Sequence, residues 1–229
     1  ILICVVSILA GIAWPVSLDP RVWMVILSIY VLFAAGLPVW LILQPRDFIN
    51  AHILYIGIVV MLASVFLTGF GGFSISIPWF NLADGMKNLG LIWPMMFITI
   101  ACGAISGFHS LVSGGTTCKQ LANECDARKV GFNAMLLEST LAVCVLLAVG
   151  VGLSFVDYKS IVWPADPSVK SNPILGFSLA AGHLFNNGLH IPVALGTVFG
   201  MLLVEGFVIT TLDTAIRLNR YLFEELWSI

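Results

Sequence analysis

Small polar side chains crowd an uncharged stretch of this sequence. Gly103, Ser106, Gly107, His109, Ser110, Ser113, Gly114, Gly115, Thr116 and Thr117 follow one another closely, and no formal charge stands between Lys87 and Lys119. Such residues break or unwind a helix. Uncharged chain of that length must lie in a bilayer or be shielded by protein, and irregular backbone at membrane depth is tolerated only where protein buries it or where it lines a polar cavity. Freed carbonyls and hydroxyls could ligate a cation, and the N–H groups opening the next half-helix could attract an anion. His109 could accept a proton or donate to a carboxylate. The bland alternatives are close helix packing by small residues and a satisfied structural histidine.

Three acids stand in apolar surroundings. Glu138 and Glu205 each fall inside an apolar run, where a carboxylate is expensive and usually faces a cavity, a partner or a proton path. Thr210, Thr211, Asp213 and Thr214 form an oxygen-rich patch able to hold a small cation, although Asp213 and Arg217 at i,i+4 make a structural ion pair the default. His183 and His190 would share a helix face without a nearby carboxylate, a poor metal site. Ala104-Ile-Ser-Gly107 only half resembles the G-x-S-G of intramembrane serine proteases, and neither H-E-x-x-H nor a P-loop occurs. No enzyme constellation is visible, and no cofactor is expected.

The elements that must position these residues are membrane helices. Of 229 residues 59% are hydrophobic and 10% charged, against about 25% charged in soluble domains, so the chain reads as an integral membrane protein. It opens on Ile1 inside an apolar run with no basic region before it, as an excerpt of a longer polytopic chain would. Near-zero net charge suggests no nucleic-acid partner. Five scattered cysteines give neither a disulfide framework nor a zinc site.

Six spans are expected, near 1–14, 22–43, 51–70, 90–113, 130–156 and 191–212, within one transmembrane domain. A kink is expected at Gly36-Leu37-Pro38, and Arg46 and Asp47 would cap helix ends on the water side of a polar break at 44–50. Segments 73–87 and 174–190 read as interfacial or re-entrant. Thr117-x-x-Gln120 has capping-box form, with Thr117 as N-cap of a short charged helix over 118–129, and the tail from Asp213 is amphipathic. With this count Arg46, Lys119, Arg128, Lys129, Arg217 and Arg220 fall on one side, and Arg21, Lys87, Lys159 and Lys170 on the other. The majority side is expected to be cytoplasmic.

Several stretches, in order along nearly the whole chain, resemble the carbon starvation protein A (CstA) family. They are Gln44-Pro-Arg-Asp47, Trp93-Pro94, the run Ile98 to Thr117 with Lys119-Gln120, Asp126-Ala-Arg128, and Thr210-Thr-Leu-Asp-Thr-Ala-Ile-Arg217. The resemblance implies an all-α, multi-pass protein of the bacterial or archaeal inner membrane, grouped with APC-type, LeuT-like transporters. It also implies peptide uptake under carbon limitation or, in some members, proton-driven pyruvate uptake. On that reading the chain belongs to a symporter with proton or sodium coupling, a sensor or passive channel being the alternative. Ser106, His109, Ser110, Ser113, Thr116 and Thr117, with Gly103 and Gly107, would serve substrate or ion. Glu138 and Glu205 would lie on the proton path. Family members are much longer, so a second discontinuous helix would come from an N-terminal part with a Gly-Ala-Gly-Pro type motif. This chain has Ser113-Gly114-Gly115-Thr116 where the family pattern runs Ser-Ser-Gly-Thr or similar, which leaves the unwinding argument intact.

Overall fold

The computed structural model describes residues 2–41, 43–78, 80–104, 107–166 and 168–228, without the side chains of 2–5, 8, 12, 89 and 102–104. Among the described residues the chain is all-helical. Its helices are α1 (Leu2–Ala13), α2 (Pro20–Gly36), α3 (Leu43–Phe70), α4 (Leu82–Leu89), α5 (Phe97–Ala104), α6 (Gly107–Val112), α7 (Cys125–Gly152), α8 (Phe155–Val162), α9 (Pro173–Leu189) and α10 (Val193–Trp227). Wide π-type turns at Ile92–Met96 and Ser113–Thr117 and a 3-10 turn at Cys118–Gln120 complete the regular structure. Helices α3, α7 and α10, of 28, 28 and 35 residues, are long and apolar enough to cross a membrane. At about 1.5 Å per residue each exceeds the ~30 Å hydrocarbon core. The chain divides into two compact units, 1–53 with 207–229, and 54–206.

In the first unit, Asp19 caps α2 by accepting from Arg21 N at 2.8 Å, with Pro20 at the first helical position. The expected span over 22–43 is not one helix. α2 stops at Gly36, and Leu37 is extended (φ −81°, ψ 155°), because the residue before Pro38 is driven out of the α region. The expected polar break at 44–50 is instead the opening of α3. Pro45 falls in the first turn, where its missing N–H would have had no intrahelical acceptor. Likewise the tail beyond Leu212 is not separate, because α10 runs unbroken to Trp227. The last carbonyls of α2 have no intrahelical donors. Arg217 Nη2 donates to Ala34 O at 2.8 Å, and Arg220 Nη1 to Ala35 O at 2.9 Å and Gly36 O at 3.3 Å.

The second unit is built on α9, which covers the segment expected to be interfacial or re-entrant. It is a 17-residue helix whose Gly176, Ser178, Ala180, Ala181, Gly182, Leu184 and Phe185 are buried. Asn172 caps its start by accepting from Leu175 N at 3.1 Å, and His190 closes it in the left-handed region (φ 57°). Three helices approach its backbone. Cβ atoms placed at Gly152 of α7, Gly188 of α9 and Gly200 of α10 would lie 2.8 Å from Ala180 C, 2.7 Å from Ser64 O and 3.1 Å from Ser178 Cα. Small residues are what let these backbones meet. Before α4, Ser76 Oγ donates to Leu153 O at 2.6 Å. α4 follows, capped by Asn81. The expected capped helix over 118–129 does not form. Thr117 is itself helical (φ −66°, ψ −43°) with no side-chain cap bond, Leu121 is extended, and the helix restarts at Cys125. Asp126, Arg128 and Lys129 are thus the first turns of α7.

Candidate functional site

The uncharged polar stretch is an irregular helical segment of the second unit. Gly90 (φ 82°) and the extended Trp93 (φ −115°, ψ 129°) bring the chain in. α5 carries Gly103, and Gly107 belongs to α6. Ser106 lies outside the described residues. The first four residues of α6 include His109 and Ser110, both exposed, and Phe108 meets the His109 ring edge-on at 6.3 Å between centroids. From Ser113 to Thr117 the helix widens into a π turn, with Cys118 N–H reaching back to Ser113 O. Such single-turn widenings occur mostly within α-helices and frequently at functional sites.

The local hydrogen bonds leave this stretch rich in acceptors. Ser110 Oγ donates to Gly107 O at 2.8 Å and Ser113 Oγ to Ser110 O at 2.9 Å. Each hydroxyl hydrogen is thereby used within the helix while lone pairs stay available for a cation or a donor. Thr116 Oγ1 is buried with no hydrogen-bond partner among the described residues. His109, Ser110, Ser113, Thr116 and Thr117 therefore sit on consecutive turns of one irregular segment. Glu138 of α7 and Glu205 of α10 are both exposed, and no ion pair of either is found among the described residues.

The threonine and acid patch is gathered in the first unit and is organised by groups that sequence reasoning passes over. Asp213, fully buried at 0% exposure, pairs through Oδ2 with Arg46 Nη1. The expected Asp213–Arg217 pair is replaced, because Arg217 is drawn to the end of α2 and Arg46 of α3 reaches the acid. Arg46 Nη1 also donates to Tyr30 Oη at 2.9 Å, and Arg46 Nη2 lies 3.6 Å from Asp47 Oδ1. Thr210 Oγ1 donates to Asp47 Oδ1 at 3.3 Å and accepts from Asn50 Nδ2 at 3.4 Å. Thr214, also buried, bonds back to Thr210 O at 2.8 Å, whereas Thr211 is exposed. The guanidinium thus pairs with the buried acid of this patch. Arg46, Asp47, Asn50 and Tyr30 all come from the far N-terminal part of the chain, out of reach of any local pattern around Asp213. The one local signal is Pro45, whose place in a helical first turn puts Arg46 inside α3 rather than in a loop.

A model of the carbon starvation protein CstA family matches residues 1–167 and again 155–229. Curated relatives include the pyruvate/proton symporter BtsT of Escherichia coli, 46% identical over 130 residues, covering 53% of this chain and 17% of the relative. The peptide transporter CstA of Bacillus subtilis is 37% identical over 150 residues, covering 63% of this chain and 24% of the relative. The peptide transporter CstA of Escherichia coli is 43% identical over 126 residues, covering 52% and 17%. The chain thus spans 17% to 24% of the length of these relatives. No solved structure matches it. With both matches together covering the chain from end to end, and with apolar helices long enough to span a bilayer, this membrane protein belongs to the carbon starvation protein CstA family.

Proposed function

We propose that these residues form part of a secondary active transporter of the cytoplasmic membrane. It imports peptides or a small carboxylate such as pyruvate in the response to carbon starvation, driven by a proton or sodium gradient. The observation that carries this reading is the π turn at Ser113–Thr117 within a run of glycine and hydroxyl residues, in a chain whose relatives are named as transporters. His109, Ser110, Ser113, Thr116 and Thr117, with Gly103, Ser106 and Gly107, face substrate or ion in this reading, and Glu138 and Glu205 relay protons. A LeuT-like arrangement, in which a second discontinuous helix completes the site, fits the irregular backbone at Ser113–Thr117.

The test is uptake of labelled pyruvate and of a dipeptide by proteoliposomes holding the full-length parent protein, under an imposed proton or sodium gradient. Gradient-dependent accumulation of either solute is expected. Equilibration without accumulation, whichever gradient is applied, would identify a passive channel. Binding without flux would identify a sensor.

A further inference from the structure

Asp213 and Arg46 form an ion pair whose members keep hydrogen-bonding groups in reserve. Asp213 Oδ1, Arg46 Nε and Arg46 Nη2 are all buried with no hydrogen-bond partner among the described residues. A rigid structural pair would use these groups, since buried polar atoms without partners are rare and unfavourable. An alternative partner for the guanidinium is already at hand. Asp47 Oδ1 lies 3.6 Å from Arg46 Nη2, and the Asp47 side chain is 43% exposed where Asp213 is sealed at 0%. Arg46 therefore stands between an outer carboxylate that meets water and an inner one that does not.

We infer that Asp213 binds the coupling proton and that Arg46 exchanges from Asp213 to Asp47 when it does. The inference rests on the transporter reading above and names the coupling site within it. In the step a proton adds to Asp213 Oδ1, the carboxylate becomes a neutral carboxyl, and the guanidinium keeps its charge and turns to Asp47. No other covalent bond forms or breaks; the Arg46 hydrogen bond to Asp213 Oδ2 is given up for one to Asp47. The proton replaces the positive charge that leaves, so the buried site never holds an uncompensated carboxylate.

The groups bonded to this pair or beside it come from α2, α3 and α10. α3 presents Arg46 and Asp47, with Asn50 on Thr210 Oγ1, and α2 presents Tyr30, whose hydroxyl accepts from Arg46 at 2.9 Å. On α10 itself Arg217 stands one turn on, held by Ala34 O at 2.8 Å with its Nε buried and unbonded among the described residues. Because Arg46 and Asp47 belong to α3, Tyr30 to α2 and Asp213 to α10, the exchange changes what ties α10 to α3. Glu138 and Glu205 have no ion-pair partner among the described residues.

The experiment uses the full-length parent in proteoliposomes, comparing wild type with Asp213→Asn for gradient-driven accumulation and for counterflow exchange of labelled solute. Infrared difference spectra of the wild type across a pH jump are recorded beside them. The expected result is that Asp213→Asn loses accumulation, its inside-to-outside ratio falling to one, while counterflow persists. The wild type should show a protonated carboxyl band that Asp213→Asn lacks. Accumulation by Asp213→Asn equal to wild type would overturn the inference, as would wild-type accumulation driven by sodium alone. If Asp213→Asn does not reach the membrane, the charge-balanced Asp213→Asn, Arg46→Gln double variant takes its place, and the wild-type spectrum stands on its own: a spectrum with no titrating carboxyl overturns the assignment. Failure of the wild type to accumulate under any gradient would instead strike at the transporter reading itself.

Discussion

Replacing Gly152 by alanine tests the packing that holds α9 in place. A Cβ at this position would lie 2.8 Å from the carbonyl carbon and 3.0 Å from the Cα of Ala180, with the Ala180 oxygen closer still. These are backbone atoms of a buried helix, so no side chain can swing aside, and α7 and α9 must separate. Overpacking of this kind typically costs about 1–3 kcal/mol, and backbone contact places Gly152→Ala toward the upper end. The intrinsic helix preference of alanine over glycine, about 1 kcal/mol, offsets only part of it. Gly131 on the same helix has nothing within 4 Å of the place a Cβ would take, so Gly131→Ala is the control and should hold or gain stability. The assay is loss of the monodisperse peak on size exclusion after heating the detergent-solubilised full-length parent. A lower midpoint for Gly152→Ala than for both wild type and Gly131→Ala is expected. An unchanged midpoint would refute the close approach of α7 to α9.

Other substitutions probe the ion pairs and the end of α2. Lys159 Nζ donates to Asp84 Oδ1 at 2.7 Å, and this bond, with that of Asn81, holds the Asp84 carboxyl below the usual range. A lowered folded value means that the pair's stabilisation is complete above the ordinary carboxylate value of about 3.9 and disappears as pH falls through the lowered one. The stability gap between wild type and Asp84→Asn should therefore be constant above that point and close in acid, as thermal midpoints across a pH series would read. Arg217→Ala removes a 1%-exposed guanidinium from Ala34 O. A buried hydrogen bond to a charged group contributes about 1.5–3 kcal/mol, so this variant should lower the midpoint distinctly more than Arg220→Ala, whose side chain is partly exposed. Equal effects of the two would contradict the buried role of Arg217.

Elements with strong apolar patterns are legible in the sequence, and those decided at long range are not. The expected segments 51–70, 130–156 and 191–212 largely coincide with α3, α7 and α10, because long uncharged runs admit few alternatives. Helix ends are less legible. Pro45 reads as a breaker where it is a tolerated first-turn residue, and charged residues 124–129 read as a separate helix although they open a long one. Leu37 before Pro38 is a local signal strong enough to end α2, where the Gly-Leu-Pro pattern suggests only a kink. In the polar patch, local spacing favours Arg217 as the partner of Asp213, whereas tertiary packing supplies Arg46. Nothing in the i,i+4 pattern could select an arginine 167 positions away. The π turn at Ser113–Thr117 is legible as irregularity, since two adjacent glycines between hydroxyl residues weaken a helix, but its type is not.

On the transporter reading, the helical segment around the π turn at Ser113–Thr117 lines the path of the solute. Ser113 is exposed at the start of the π turn, so Ser113→Cys in an otherwise cysteine-free full-length parent offers a direct measurement. Its labelling by a membrane-impermeant maleimide is followed with and without pyruvate or a dipeptide. Labelling from the aqueous phase that the transported solute slows is the predicted result. Labelling that no solute alters, or none from either side of the membrane, would contradict the claim.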